Sequence, residues 1–97
     1  MTDFRALLLT DVVDSTKLSE SIGDQAMAEV WAAHDRVARD LLPPWRGREI
    51  DKTDGFMMMF DRPIQAVAFA LDYQRGLKQL NAAEKCELTA RVGIHVG

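Results

Sequence analysis

The spacing of apolar and polar residues changes several times along the chain, and each change marks the border of an element. Phe4 to Val13 is dense in β-compatible apolar residues and stops at a polar cluster, which predicts a strand buried on both faces. Asp14, Ser15 and Thr16 are helix-capping types and Gly23 is a breaker, so a short helix is expected between them. A second helix is expected from Asp24, because Met27, Val30, Trp31, His34, Val37 and Leu41 recur at three- and four-residue steps. Glu29, Asp35, Arg36, Arg39 and Asp40 lie mostly off that face, and Pro43-Pro44 ends the run.

Arg48 to Thr53 alternates charged and apolar residues, Asp54-Gly55 is a tight-turn signal, and Phe56 to Phe60 reads FMMMF. Together they predict a hairpin whose second strand is fully buried. A third helix is expected with Asp61 or Arg62 as cap and Pro63 in its first turn. Its broad apolar face would comprise Ile64, Val67, Ala70, Leu71, Tyr73, Leu77 and Leu80. Asn81 to Glu87 reads as a polar connection, and Leu88 to Val96 as the last strand.

Strand, helices, strand, strand, helix, strand is the order of an α+β, ferredoxin-like βαββαβ core. Right-handed crossovers then set the first and third strands antiparallel in the middle of the sheet. Asp11 closes the former and Asp54 opens the latter, so these two carboxylates are expected within reach of one cation. Crowded carboxylates at a strand end are costly unless a cation meets them, and a hard divalent ion suits their oxygens.

Composition narrows the classes. With 97 residues the chain is one domain at most. A net charge of -3 without a lysine or arginine cluster removes the basic face that nucleic-acid binding needs. The lone Cys86 excludes an internal disulfide and a CxxC metal site, which fits a reducing compartment. No apolar run approaches the ~20 residues that span a bilayer, so a cytoplasmic placement without membrane contact in this segment is expected.

Each candidate also has a plain structural reading. Asp-Gly is a favoured turn in its own right, and Asp14 serves better as a helix cap than as a third ligand. Ser15 and Thr16 can cap a helix or offer hydroxyls and amides to a phosphate. No Walker-type loop is present, and the spacing of Asp11 and Asp14 does not suit a haloacid-dehalogenase pair. His34 is expected as a packed core histidine, His95 in a structural or interface role, and Met57 to Met59 as core.

LTDVVDST, KTDGF and RVGIHVG, in this order and at these intervals, resemble the catalytic domain of class III adenylate/guanylate cyclases. The likeness covers the whole chain but only the N-terminal half of that domain, so residues 1–97 read as a single partial domain cut after its fourth strand. It implies conversion of ATP or GTP to the 3′,5′-cyclic nucleotide and pyrophosphate, in a homodimer with shared active sites. It also implies that Asp11 and Asp54 bind two Mg²⁺ or Mn²⁺ ions with help from the Val12 carbonyl, and that Ser15 and Thr16 meet the phosphates. The family's purine-contacting lysine, four residues before the second aspartate, falls on Ile50, or on Asp51 with one deletion; Lys52, on the same strand face as Asp54, is the substitute. Asp14 stands where many members carry glycine. The later purine-selecting and transition-state residues follow the RVGIHVG strand, so the segment is expected to be inactive alone. A degenerate cyclase-like module that binds nucleotide or a partner and regulates an attached domain is the alternative, followed by a plain ferredoxin-like interaction domain.

Overall fold

The computed structural model describes residues 5–52 and 55–97. Its elements are β1 (Ala6–Val13), α1 (Ser15–Ile22), α2 (Asp24–Asp40), β2 (Arg48–Lys52), β3 (Phe56–Phe60), α3 (Pro63–Glu84) and β4 (Thr89–Val96). They form one antiparallel sheet in the order β2-β3-β1-β4, with β1 and β3 central as expected. Ala6 stands opposite Phe60 and Leu9 opposite Met57, while on the other side Asp11 stands opposite Arg91.

The core lies between one face of the sheet and the helices. Ala6, Leu8, Phe56, Met58 and Phe60 from the strands meet Met27, Val30 and Ala38 of α2 and Ala66, Phe69, Tyr73, Leu77 and Leu80 of α3. Gly76 lets α2 and α3 pack closely: a Cβ there would fall 2.6 Å from Cγ1 of Val37. Tyr73 stacks on Phe69, and Phe69 packs on Phe60, which seats the middle of α3 on β3.

Four expectations need correction. β1 and β3 are not buried on both faces: Leu7, Leu9, Met57 and Met59 are only half-buried, because the helices cover one side of the sheet. The first half of the expected α3 face is turned outward, with Ile64, Val67 and Leu71 exposed while Ala66 and Phe69 go in. α3 continues through Glu84, so Asn81 is helical and not part of a loop; its side chain still serves the connection, accepting the Leu88 amide and donating to the Leu88 carbonyl, each at 2.9 Å. β2 does not alternate throughout, because its register against β3 slips by one residue between Glu49 and Asp51, leaving Ile50 without a ladder partner.

Candidate active site

β1 is an apolar strand for most of its length and delivers a carboxylate at its C-terminal end. Alternation sends Thr10 toward the helices, where it is buried, and Asp11 toward the uncovered face, where it is exposed. Asp11 Oδ2 accepts a hydrogen bond from an Arg91 guanidinium nitrogen at 3.1 Å. With Asp11 61% and Arg91 74% exposed, this pair is well solvated, contributes about 0–1 kcal/mol at most, and leaves the carboxylate free to accept another cation.

Leu9, Thr10, Asp11, Asp51, Gly55, Phe56 and Met57 line an open groove of about 300 Å³ at this end of the sheet. Two of these residues fix its shape. A Cβ on Gly55 would fall on the Thr10 carbonyl oxygen, so only glycine lets the chain entering β3 come this close to β1. The Phe56 amide then donates to the Thr10 hydroxyl at 2.9 Å. Asp54, like Thr53, lies outside the described residues, and its expected convergence with Asp11 lies outside them too. Among the described residues no group of three or more His, Cys, Asp or Glu side chains is placed to hold a metal ion.

Asp51 and Lys52 face opposite sides of the sheet. Asp51 pairs with Met57 and lines the groove, whereas Lys52 pairs with Phe56 and turns to the helix layer. There the Lys52 ammonium lies 3.8 Å from Asp35 and 5.5 Å from the centre of the Phe56 ring. Val12 stands opposite Ala90, its side chain against the core.

Asp14 leads from β1 into α1. It holds the N-cap position, yet its carboxylate makes no capping bond and its φ of 54° is left-handed. That conformation gives a physical reason for glycine at this position in the cyclases that the sequence resembles. Ser15 and Thr16 open the helix ahead of its first backbone bond, from the Leu18 amide to the Asp14 carbonyl at 3.2 Å, so the amides of the first turn are available to an anion.

No family model matches the sequence, and neither does any curated protein. Solved structures do match. An adenylate cyclase from Trypanosoma brucei aligns with a TM-score of 0.86 and 25% identity, covering 99% of this chain and 57% of that one. The adenylyl cyclase CyaB from P. aeruginosa aligns with a TM-score of 0.84 and 18% identity, over 98% of this chain and 56% of the other. This chain has the fold of the N-terminal half of a class III cyclase domain. The guanylate cyclase domain of RhGC from Catenaria anguillulae, solved in complex with GTP, shares that fold at a TM-score of 0.74 and 19% identity, covering 98% of this chain and 57% of that one. The chain thus spans a little over half the length of each cyclase.

Sequence reasoning placed Asp11 at the end of β1 and named Asp51 only as an alternative for the family's lysine position; it passed over Thr10 and Arg91, which the structure sets beside Asp11. The available signal for Thr10 was a hydroxyl at an inward position of an otherwise apolar strand, and for Arg91 its place in RVGIHVG on a strand beside β1.

Proposed function

We propose that the chain is the metal- and phosphate-binding part of a nucleotidyl cyclase domain that converts ATP or GTP to the 3′,5′-cyclic nucleotide and pyrophosphate. The observation that carries this reading is the position of Asp11: a solvated carboxylate at the end of a central strand, in an open groove bordered by the Gly55 approach, on a cyclase fold. The donor set suits hard divalent cations, since Asp11 offers carboxylate oxygens and Asp51 adds a second carboxylate to the groove. Asp11, Asp54 and the Val12 carbonyl would hold two Mg²⁺ or Mn²⁺ ions, which when bound acidify the ribose 3′-hydroxyl and neutralise the triphosphate.

The chain's own residues then bind and orient. The first-turn amides and hydroxyls of Ser15 and Thr16 would receive the β- and γ-phosphates, using the partial positive charge of the α1 N-terminus. Arg91 would exchange its bond to Asp11 for one to a phosphate oxygen when a cation takes the carboxylate. Lys52 would reach a purine only by leaving Asp35, whereas Asp51 already lines the groove. The remaining part of the site, and catalytic turnover, would come from sequence following this segment and from a second copy in a homodimer. The engagement of Lys52 with Asp35 favours one further reading, a cyclase-like module that binds nucleotide without turnover.

The test is to assay the full-length protein with Mn²⁺ and either ATP or GTP, comparing wild type with Asp11→Ala and Asp54→Ala. Loss of cyclic product in both variants is expected. Product formation undiminished in both would overturn the metal assignment, and nucleotide binding without product in the wild type would establish the non-catalytic module.

A further inference from the structure

Beneath the groove, on the helix side of the sheet, a half-buried Lys52–Asp35 pair leads into the buried polar side chains of His34, Tyr73 and Thr10. The Lys52 ammonium lies 3.8 Å from Oδ2 of Asp35, and Oδ1 of Asp35 accepts from His34 Nδ1 at 3.1 Å. His34 Nε2 is 2.6 Å from the Tyr73 hydroxyl, and the Thr10 hydroxyl lies beside that phenol. Thr10 in turn accepts the Phe56 amide. The chain of contacts therefore crosses from β2 through α2 and α3 to β1 and ends at the first residue of β3.

Counting hydrogens gives it a direction. A carboxylate only accepts, so the ring hydrogen of neutral His34 is on Nδ1 and Nε2 is bare. The bare nitrogen takes the phenol hydrogen, the phenol oxygen takes the Thr10 hydrogen, and the Thr10 oxygen is left to accept the Phe56 amide. Every hydrogen is used once. A proton added at Nε2 would turn the phenol hydrogen toward Thr10, where it competes with the Thr10 hydrogen and with the Phe56 amide for one oxygen.

The termini of this relay make it more than a satisfied core histidine. Thr10 immediately precedes Asp11, and Phe56 immediately follows the glycine that touches β1. We propose that Tyr73 and His34 are positioning residues which, through Thr10, fix how closely the start of β3 is held to the end of β1, and so set the divalent-cation affinity of the groove. This rests on the metal-binding reading above. The groups facing His34 are Asp35 from its own helix, Lys52 from β2, Tyr73 from α3 and the Phe56 ring from β3, with the Arg39 guanidinium 5.4 Å from the centre of that ring. Burial keeps His34 neutral near pH 7, against the pull of Asp35.

The test measures two quantities on the full-length protein: hydrogen exchange at the Phe56 amide and Mn²⁺ affinity by electron paramagnetic resonance. Tyr73→Phe keeps the stacked ring and removes the hydroxyl. It should raise Phe56 exchange about tenfold and weaken Mn²⁺ binding several-fold, with exchange at Leu8 and Met58 unchanged as evidence that the fold persists. Thr10→Val should do the same. His34→Gln, whose amide can accept from Tyr73 and donate to Asp35 but does not titrate, should keep wild-type values at pH 7 and show a smaller loss than wild type as the pH is lowered below the ordinary histidine range. Unchanged Phe56 exchange in Tyr73→Phe would overturn the proposal, as would faster exchange with unchanged Mn²⁺ affinity. Wild-type protein that binds no Mn²⁺ would overturn the functional reading and this proposal with it, a failure distinct from one confined to the variants.

Discussion

The Thr10 hydroxyl accepts the Phe56 amide hydrogen at 2.9 Å, joining the last buried position of β1 to the first of β3. The contact is possible only because Gly55, one residue earlier, has no side chain to hold the strands apart. Gly55→Ala should therefore destabilise the protein by about 1–3 kcal/mol, the range for overpacking against atoms that cannot yield. Urea unfolding would register it as a lower midpoint with an unchanged slope.

Asp14 should respond in the opposite direction. A left-handed residue other than glycine is strained by about 1–2 kcal/mol, somewhat less for aspartate, and a glycine gives back part of that gain as unfolded-chain entropy. Asp14→Gly is expected to stabilise by roughly 0.5 kcal/mol, and Asp14→Ala to destabilise by about 1 kcal/mol. The two midpoints in urea, on either side of wild type, check the φ of 54° directly.

Asp11 should be important for function yet nearly neutral for stability. Its bond to Arg91 is solvated, so Asp11→Ala should shift unfolding by less than about 1 kcal/mol while abolishing Mn²⁺ binding. Calorimetric titration beside thermal unfolding separates the two effects.

The pH dependence follows from His34 and Tyr73. Burial lowers the His34 pKa in the folded protein, so the unfolded chain takes up the proton first as pH falls. The stability contributed by neutral His34 is complete above about pH 6.5, the ordinary histidine value, and declines as pH drops toward the folded value. Tyr73 is held above its ordinary range mainly by burial, so its contribution is lost as pH rises past about 10. Urea midpoints measured from pH 5 to 11 should trace both flanks, with the acid flank shallower in His34→Gln.

On α3, Leu71→Gln should change stability by no more than about 0.5 kcal/mol, since Leu71 is 55% exposed. Leu77→Ala, six residues on and buried, should cost about 2–5 kcal/mol. Unfolding midpoints that reversed this order would contradict the packing of the helix.

The element order and the central pairing of β1 with β3 were legible because periods of two and of three to four residues give strand and helix, and chain crossovers have one hand. Burial was less legible. LLL and FMMMF are apolar at every position, so the sequence carries no mark of the face that the helices leave uncovered. Ile64, Val67 and Leu71 were misplaced for a related reason: α3 has apolar residues on two stripes, and only the contact of Phe69 and Tyr73 with the sheet decides which one goes in. At the site, Asp11 was visible as a charge ending an apolar run. The relay was not, because apart from the adjacent His34 and Asp35 its members come from β1, β2, β3 and α3, and nothing local in the sequence relates them.

The register slip at Ile50 divides β2 into two phases. Glu49, upstream, meets Arg39 on the helix side, while Asp51, two positions later and nominally on the same side, opens into the groove. Deleting Ile50 would leave every other pairing of this edge strand in place, so the position should tolerate loss of a codon. An insertion between Asp51 and Lys52 has no such freedom: it would drive one of those charges into the wrong layer and detach the hairpin from the helices that support it.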